Sequence, residues 1–131
     1  LDGTLALCIL LDQFPRNIYR GTAQAFATDG KILGIVKQAV AAGWHQELPA
    51  IPEKFLVMPF QHSEDLADQE HGVELFSAYR GNESGDKSYD SMLKHRQLII
   101  DFGRFPHRNA ALGRTNSAAE EVYLQDPEAG Y

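Results

Sequence analysis

The stretch Asp101-Phe-Gly-Arg-Phe-Pro-His-Arg-Asn-Ala-Ala-Leu-Gly-Arg114 places three arginines, a histidine and an asparagine around a Phe-Pro pair. A shorter version, Asp12-Gln-Phe-Pro-Arg-Asn-Ile-Tyr-Arg-Gly-Thr22, occurs near the start of the chain. Each begins with an aspartate at the end of an apolar segment and passes through Phe-Pro and Arg-Asn to a glycine. Because proline ends helices and restricts the residue before it, each stretch predicts a corner between helices. We call residues 12–22 the first Phe-Pro corner and residues 101–114 the second.

The composition limits the class of protein. The chain has 131 residues, a net charge of −6 and one cysteine, Cys8. This length predicts one domain with one hydrophobic core. The acidic balance argues against binding to nucleic acid or to an anionic membrane surface, and the longest apolar run, residues 5–11, is too short to span a membrane. A single cysteine is typical of a reducing compartment, so we expect a cytoplasmic protein without disulfides.

The spacing of apolar residues predicts an all-α fold for a single domain over residues 1–125. No segment alternates with period two as a half-buried strand does. About seven helices are predicted, at residues 5–13, 30–42, 52–58, 64–79, 87–102, 106–112 and 121–125. The first should be buried on all sides, since it is apolar nearly all round, and Pro15 and Pro59 should end the helices before them. Residues 126–131 should form a frayed tail.

The recurrence of the Phe-Pro corner favours antiparallel helical hairpins stacked side by side, with short helices at the proline corners. Ser117 and Glu120 have the spacing of a capping box, which predicts a helix start at that point.

Three blocks resemble the signature blocks of one bacterial family, catalogued as domain of unknown function nine hundred and twenty-four. They are LLDQFPRNIYRGT at residues 10–22, FLVMPFQHSE at 55–64 and GRFPHRNAALGR at 103–114. The resemblance extends to about Leu124 and implies a fold like the tetratricopeptide repeat (TPR), with helical hairpins in a short superhelix. Family members carry a helical portion before the first block, so this domain is expected to lack it. No activity, substrate or catalytic residue is implied.

Polar residues that could form a functional site follow helix ends and prolines. Candidates for ligand binding lie in the two corners: Asp12, Arg16, Asn17, Arg104, Arg108 and Asn109. Candidates for catalysis are His62, Glu64 and His107. Helix ends in a hairpin stack fall close together, so we expect the corners to meet. Arginines there can hold a carboxylate or phosphate, and the histidines and carboxylates can move protons.

The same residues also have a structural interpretation. Asp12 would pair with one of the corner arginines, because an unpaired buried carboxylate is costly, and Asn17 and Asn109 would bond to loop backbone. Neither His62 nor Glu64 belongs to a recognised metal-binding pattern, so we expect no metal and no cofactor. Gln69 lies on the apolar stripe of its helix and should be satisfied within the core.

Two functions remain open. The first is a TPR-like module that binds a peptide or protein partner in a groove. The second is a small-molecule protein, either a binding protein for an anionic ligand or an enzyme, that uses the charged corners. Homodimerisation is compatible with both. Charged side chains around an open cavity favour the second function, whereas paired charges with a groove elsewhere favour the first.

Overall fold

The computed structural model of the protein describes residues 2–127 and 129–130, apart from the side chains at positions 2 and 50–52. These residues form helices and connecting turns, and no strand occurs among them. The α-helices are α1 (Asp2–Cys8), α2 (Phe14–Ile18), α3 (Asp29–Ala41), α4 (Ala50–Gln61), α5 (Leu66–Ser77), α6 (Glu83–Phe102), α7 (Asn109–Leu112) and α8 (Ala118–Tyr123). Short 3-10 helices lie at Ala23–Phe26, Trp44–Glu47 and Pro106–Arg108. The predicted all-α class is therefore confirmed.

Helix boundaries differ from the predictions where side chains cap the ends. Helix α6 begins at Glu83 rather than at residue 87, because the side chain of Asn82 accepts a hydrogen bond from the Gly85 backbone. The N-cap of α5 is Asp65. The predicted capping box at the start of α8 is present, and it sets the first residue of that helix.

The first proline does not end its helix, contrary to the prediction. Residues Ile9–Gln13 form a π-helical turn between α1 and α2, in which the N–H of Phe14 donates to the carbonyl of Ile9. This wider turn leads directly into α2, whose first turn contains Pro15. Proline is tolerated there because the first N–H groups of a helix have no intrahelical partner. Asp12 lies inside the π-helical turn, a feature that is frequent at functional sites.

The second proline prediction was also wrong, since Pro59 lies inside α4, which continues to Gln61. The side chain of Gln69 stabilises the end of this helix. Its Nε2 lies 2.8 Å from the carbonyl of Gln61 and 2.7 Å from that of Ser63. Because Gln69 is fully buried, water does not reach these carbonyls, and the Gln69 amide donates to them instead. The amide nitrogen is therefore satisfied within the core as predicted, whereas Oε1 accepts no hydrogen bond among the described residues.

The main core lies between α1, α3, α4, α5 and α6. Its fully buried members include Cys8, Ile32, Val36, Leu56, Val57, Phe60, Phe76 and Met92. Burial raises the pKa of the Cys8 thiol to about 12, which makes it a poor nucleophile. A second cluster contains Leu98, Ile99 and Phe105, with Phe102 and Tyr123 against it.

The first helix is not buried on all sides as predicted. Only one side of it packs against α3 and α4. Leu10, for example, is 52% exposed.

Helices α5 and α6 pack as an antiparallel hairpin. At one end the guanidinium of Arg80 lies over the ring of Tyr89, and further along Arg96 binds Glu70. The close approach requires a glycine at position 85, where an added Cβ would overlap the carbonyl oxygen of Tyr79. At the end of the chain, residues 128 and 131 of the expected frayed tail lie outside the described part.

We expect Gln69→Leu to lower the free energy of unfolding by about 2 kcal/mol, because buried carbonyls at the end of α4 lose their donor. The similar size of leucine limits any cavity contribution. Urea denaturation of the wild type and the variant measures the difference. A variant as stable as the wild type would show that the amide bonds do not hold this helix end.

Candidate functional site

The two Phe-Pro corners meet at Asp29, the first residue of α3. Arg16 donates to both carboxylate oxygens of Asp29 at 2.8 Å, and Nη1 of Arg108 lies 3.3 Å from Oδ2. The guanidinium of Arg108 also lies over the rings of Phe26 and Phe105, 4.7 and 4.5 Å from their centroids. Burial lowers the pKa of Arg108 to about 10, so it stays charged at neutral pH. One carboxylate therefore joins two arginines from distant parts of the chain.

Asp12 is paired chiefly with His62. Oδ1 of Asp12 lies 2.6 Å from Nδ1 of His62, and its Oδ2 accepts a hydrogen bond from Gln13 at 2.6 Å. Arg16 is farther away, with Nη1 at 3.5 Å from Oδ1. The predicted pairing of Asp12 with a corner arginine is present as this ion pair, but the shorter contact is the one with His62. The reason is that Asp29 offers Arg16 both of its carboxylate oxygens.

The Asp12–His62 pair is a carboxylate with a neutral imidazole at neutral pH. Burial raises the pKa of Asp12, but the contacts with His62, Arg16 and Gln13 together outweigh it, and the net pKa lies below the usual value. Burial, together with the positive charges of Arg16 and Arg108, lowers the pKa of His62 by more than the Asp12 contact raises it. Because Nδ1 faces a carboxylate, it holds the proton, and the lone pair lies on Nε2. Within the described residues, Nε2 of His62 makes no hydrogen bond.

Glu64 connects the middle block to the second corner. Arg114 binds its two carboxylate oxygens at 2.8 and 3.0 Å, and the backbone N–H of Phe105 donates to Oε1 at 2.8 Å. Burial raises the pKa of Glu64, but these bonds outweigh it and lower the net pKa. Glu64 is therefore an ionised partner of Arg114 and a poor proton donor.

Four of these groups, on Asp29, His62, Glu64 and Arg108, border a cleft of about 300 Å³, whereas Asp12, Arg16 and Arg114 lie behind its lining. Its polar lining consists of Asp29, His62, Ser63, Glu64 and Arg108. Its apolar lining consists of Phe26, Leu33, Pro59 and Leu112, with Gly30 beside them. A concave, partly apolar space with a few convergent polar groups is typical of small-molecule sites, and this volume lies at the small end of their range.

Two predicted site residues of the second corner lie away from the cleft. Arg104 binds both oxygens of Glu120, at 2.6 and 2.7 Å, and so attaches α8 to the corner. Asn109 is fully buried, and its amide donates to the side chain of Asn116 at 2.8 Å rather than to loop backbone as predicted. Both residues hold the end of the chain in place.

Asn17 and His107 also lie outside the cleft. Asn17 is exposed, and its amide donates to the carbonyl of Gln13, one helical turn earlier, rather than to a loop. His107 lies against Phe105 and Gly130 on the other side of the corner. Of the three catalytic candidates, only His62 and Glu64 line the cleft.

Sequence reasoning missed Asp29 as a site residue. An aspartate in the first turn of a helix already has a local explanation, since it interacts favourably with the helix dipole. It also missed the contacts of Gln61, whose amide Nε2 lies 3.1 Å from both Ser91 Oγ and His95 Nδ1. No local pattern connects α4 with α6 in this way.

A second, larger concavity lies between α4, α5 and α6, and we call it the α4–α6 groove. It has a volume of about 780 Å³. It is lined by Met58, Gln61, Phe76, Asn82, Glu83, Ser84, Lys87, Ser88 and Ser91. The end of α4 thus contributes to both spaces, with Gln61 facing the groove and His62 facing the cleft.

The described part of the chain contains neither a metal cluster nor a membrane helix. In residues 2–127 and 129–130, no three His, Cys, Asp or Glu side chains lie close enough together to hold a metal ion. Over the same ranges, no helix combines the length and the apolar character needed to cross a bilayer.

The fold and the site define an all-helical domain whose charged corners enclose a small cleft. The chain belongs to the family described as bacterial protein of unknown function (DUF924), which matches residues 1–128. The resemblance inferred from the three sequence blocks is therefore confirmed at the level of the family.

The fold is similar to that of a solved protein of unknown function from Agrobacterium tumefaciens. The two are 37% identical with a TM-score of 0.87, and the match covers 95% of this chain and 68% of that chain. No curated protein matches the sequence.

We expect Asp12→Ala to lower the free energy of unfolding by about 3 kcal/mol, because two partly buried donors, on His62 and Gln13, lose their carboxylate acceptor. Chemical denaturation measures the change. Glu83→Ala is the control, since it removes an exposed pair with Lys87 and should change stability little. Equal effects of the two variants would contradict the buried role of Asp12.

We also expect stability to fall as the pH falls from about 6.5 to about 4. Burial and nearby positive charge, including that of Arg108, together lower the pKa of His95 and of His107 to about 4. In this window the unfolded chain binds protons that the folded chain does not, so lower pH favours unfolding. Each histidine contributes at most about 1.4 kcal/mol per pH unit. Urea denaturation across this range should show that the free energy of unfolding depends less steeply on pH in His107→Gln than in the wild type. An unchanged slope would contradict the lowered pKa of His107.

Proposed function

We propose that this protein binds a small polar molecule in the cleft between the two Phe-Pro corners. The observation that carries the proposal is the convergence of His62, Glu64, Asp29 and Arg108 on one open space. These residues come from three distant parts of the chain. A network with only a structural role would be expected to close on itself, whereas these side chains border a space with apolar walls.

The charges around the cleft favour an uncharged ligand. Three arginines face three carboxylates: Arg16, Arg108 and Arg114 against Asp12, Asp29 and Glu64. The carboxylate of Asp29 already occupies the position on Arg16 that the carboxylate or phosphate of a ligand would take. An anion would have to displace Asp29, while a neutral molecule with hydroxyl or amine donors can bond to Nε2 of His62 and to free lone pairs on the carboxylates.

A second candidate function is the binding of a peptide or protein partner in the α4–α6 groove. The volume of the groove, about 780 Å³, favours it. Met58 offers an apolar contact, while Asn82 and Lys87 offer groups that bond to a peptide backbone. TPR-like hairpins bind extended segments in grooves of this kind.

A thermal-shift screen of small alcohols, polyols, amines, carboxylates and phosphates tests the first proposal. Gly30→Leu places a side chain at the cleft wall, and Gly34→Leu, on the same helix, is the matched control. An added Cβ meets no atom within 4 Å at either position, and leucine favours a helix over glycine, so both variants should fold.

We expect a neutral hydroxyl or amine compound to raise the melting temperature of the wild type and of Gly34→Leu, but not of Gly30→Leu. An effect that survives in Gly30→Leu would place binding outside the cleft. If no compound in the set stabilises the wild type, the small-molecule function is rejected. The second candidate is tested by the same thermal-shift comparison with a peptide library. Its blocked variant is Ser88→Trp, whose side chain fills the α4–α6 groove.

A further inference from the structure

We propose that His62 is a general base that takes a proton from a hydroxyl group held in the cleft, and that Asp12 is its positioning residue. The substrate class is a small, uncharged, partly apolar molecule that either carries the hydroxyl or is attacked by water. The inference rests on the proposed function, because the reacting hydroxyl lies in the same cleft.

His62 is held both at its ring and at its backbone. Its ring is held by Asp12, 2.6 Å from Nδ1, and Asp12 is 1% exposed within the π-helical turn. Its backbone carbonyl accepts a hydrogen bond from Arg108 at 3.0 Å. The side chain of His62 is still 14% exposed and lines the cleft. A ring oriented in this way by a buried carboxylate is the arrangement that general-base catalysis requires.

The other polar groups of the cleft are already engaged. Asp29 binds two arginines, and Glu64 binds Arg114 together with a backbone N–H. The hydroxyl of Ser63 donates to Asp68 at 2.8 Å, so it is not directed at the histidine as a nucleophile would be. Nε2 of His62 is therefore the base available to a bound molecule, and the proton must come from that molecule or from water.

The proton transfer is balanced in the following way. The O–H bond breaks, its electron pair stays on oxygen, and the proton forms a new bond to Nε2. The resulting imidazolium is stabilised by the adjacent Asp12 carboxylate. The oxygen then bonds to an electrophilic carbon, the leaving group departs with its bonding pair, and Nε2 returns the proton to the leaving group or to water.

The surroundings of the base also limit the substrate. Because the three arginines and three carboxylates compensate one another, a charged substrate gains no net attraction. Phe26, Leu33 and Leu112 provide apolar walls. An uncharged activated ester such as p-nitrophenyl acetate is small enough to serve as a probe, with water as the hydroxyl donor.

The first test is the tautomer of His62, observed by nitrogen-15 NMR of the wild type. We expect a protonated Nδ1 and an unprotonated Nε2 at neutral pH, and a mixture of tautomers in Asp12→Asn. A proton on Nε2 in the wild type would overturn the proposal.

The second test is hydrolysis of p-nitrophenyl acetate by the wild type, His62→Asn and His71→Gln. The amide nitrogen of asparagine can reach the place of Nδ1 and keep the bond to Asp12, so His62→Asn removes Nε2 with the least disturbance. We expect it to lower the rate ten-fold or more, within the range of general-base effects. His71 is exposed and away from the cleft, and His71→Gln should match the wild type. Equal rates for the wild type and His62→Asn would overturn the proposal.

Gly30→Leu separates this inference from the proposed function. Hydrolysis that needs His62 and is also lost in Gly30→Leu supports a base acting inside the cleft. Hydrolysis that needs His62 but is unaffected by Gly30→Leu places the reaction elsewhere and overturns the proposal. If neutral ligands bind in the cleft while His62→Asn leaves hydrolysis unchanged, the general base is rejected and the binding function stands.

Discussion

The carboxylate of Asp29, shared by Arg16 and Arg108, is the interaction on which the arrangement of the two corners depends. Arg108 is only 7% exposed, and a charge so far from water requires a partner of opposite sign. Asp29 supplies it from the start of α3, while Arg16 neutralises the remaining charge. Three segments that are distant in sequence are thereby fixed around one point, and the cleft is the space left between them.

Because the charges around the cleft are paired, the charged residues and the uncharged His62 have different roles. The charged groups bind one another and hold the walls of the cleft, at a desolvation cost that only close, directional pairing offsets. The uncharged imidazole of His62 remains oriented by Asp12, with its second nitrogen uncommitted among the described residues. The chemistry available to a ligand is therefore that of a neutral hydrogen-bond acceptor beside paired ions, which differs from an anion-binding arginine cluster.

Two features at helix irregularities position Asp12 and His62 relative to each other. The π-helical turn carries Asp12 inward and allows the helix to continue through Pro15. At the other side, Gln69 supplies donors to the carbonyls at the end of α4, where His62 follows. In both places, hydrogen bonds satisfy backbone groups that would otherwise have no partner. The site therefore depends on local departures from ideal geometry that the surrounding core supports.

The sequence by itself determined the all-α class, the family, the capping box before α8 and the residue types that surround the cleft, because periodicity, caps and motifs are local signals. Asp12, Arg16, His62, Glu64 and Arg108 could all be chosen from three short blocks. Tertiary structure alone decided which of them meet: Asp12 with His62, and both arginines with Asp29. Pairing between segments depends on their packing in space, and an aspartate that suits a helix start gives no sign of the distant arginine that it binds.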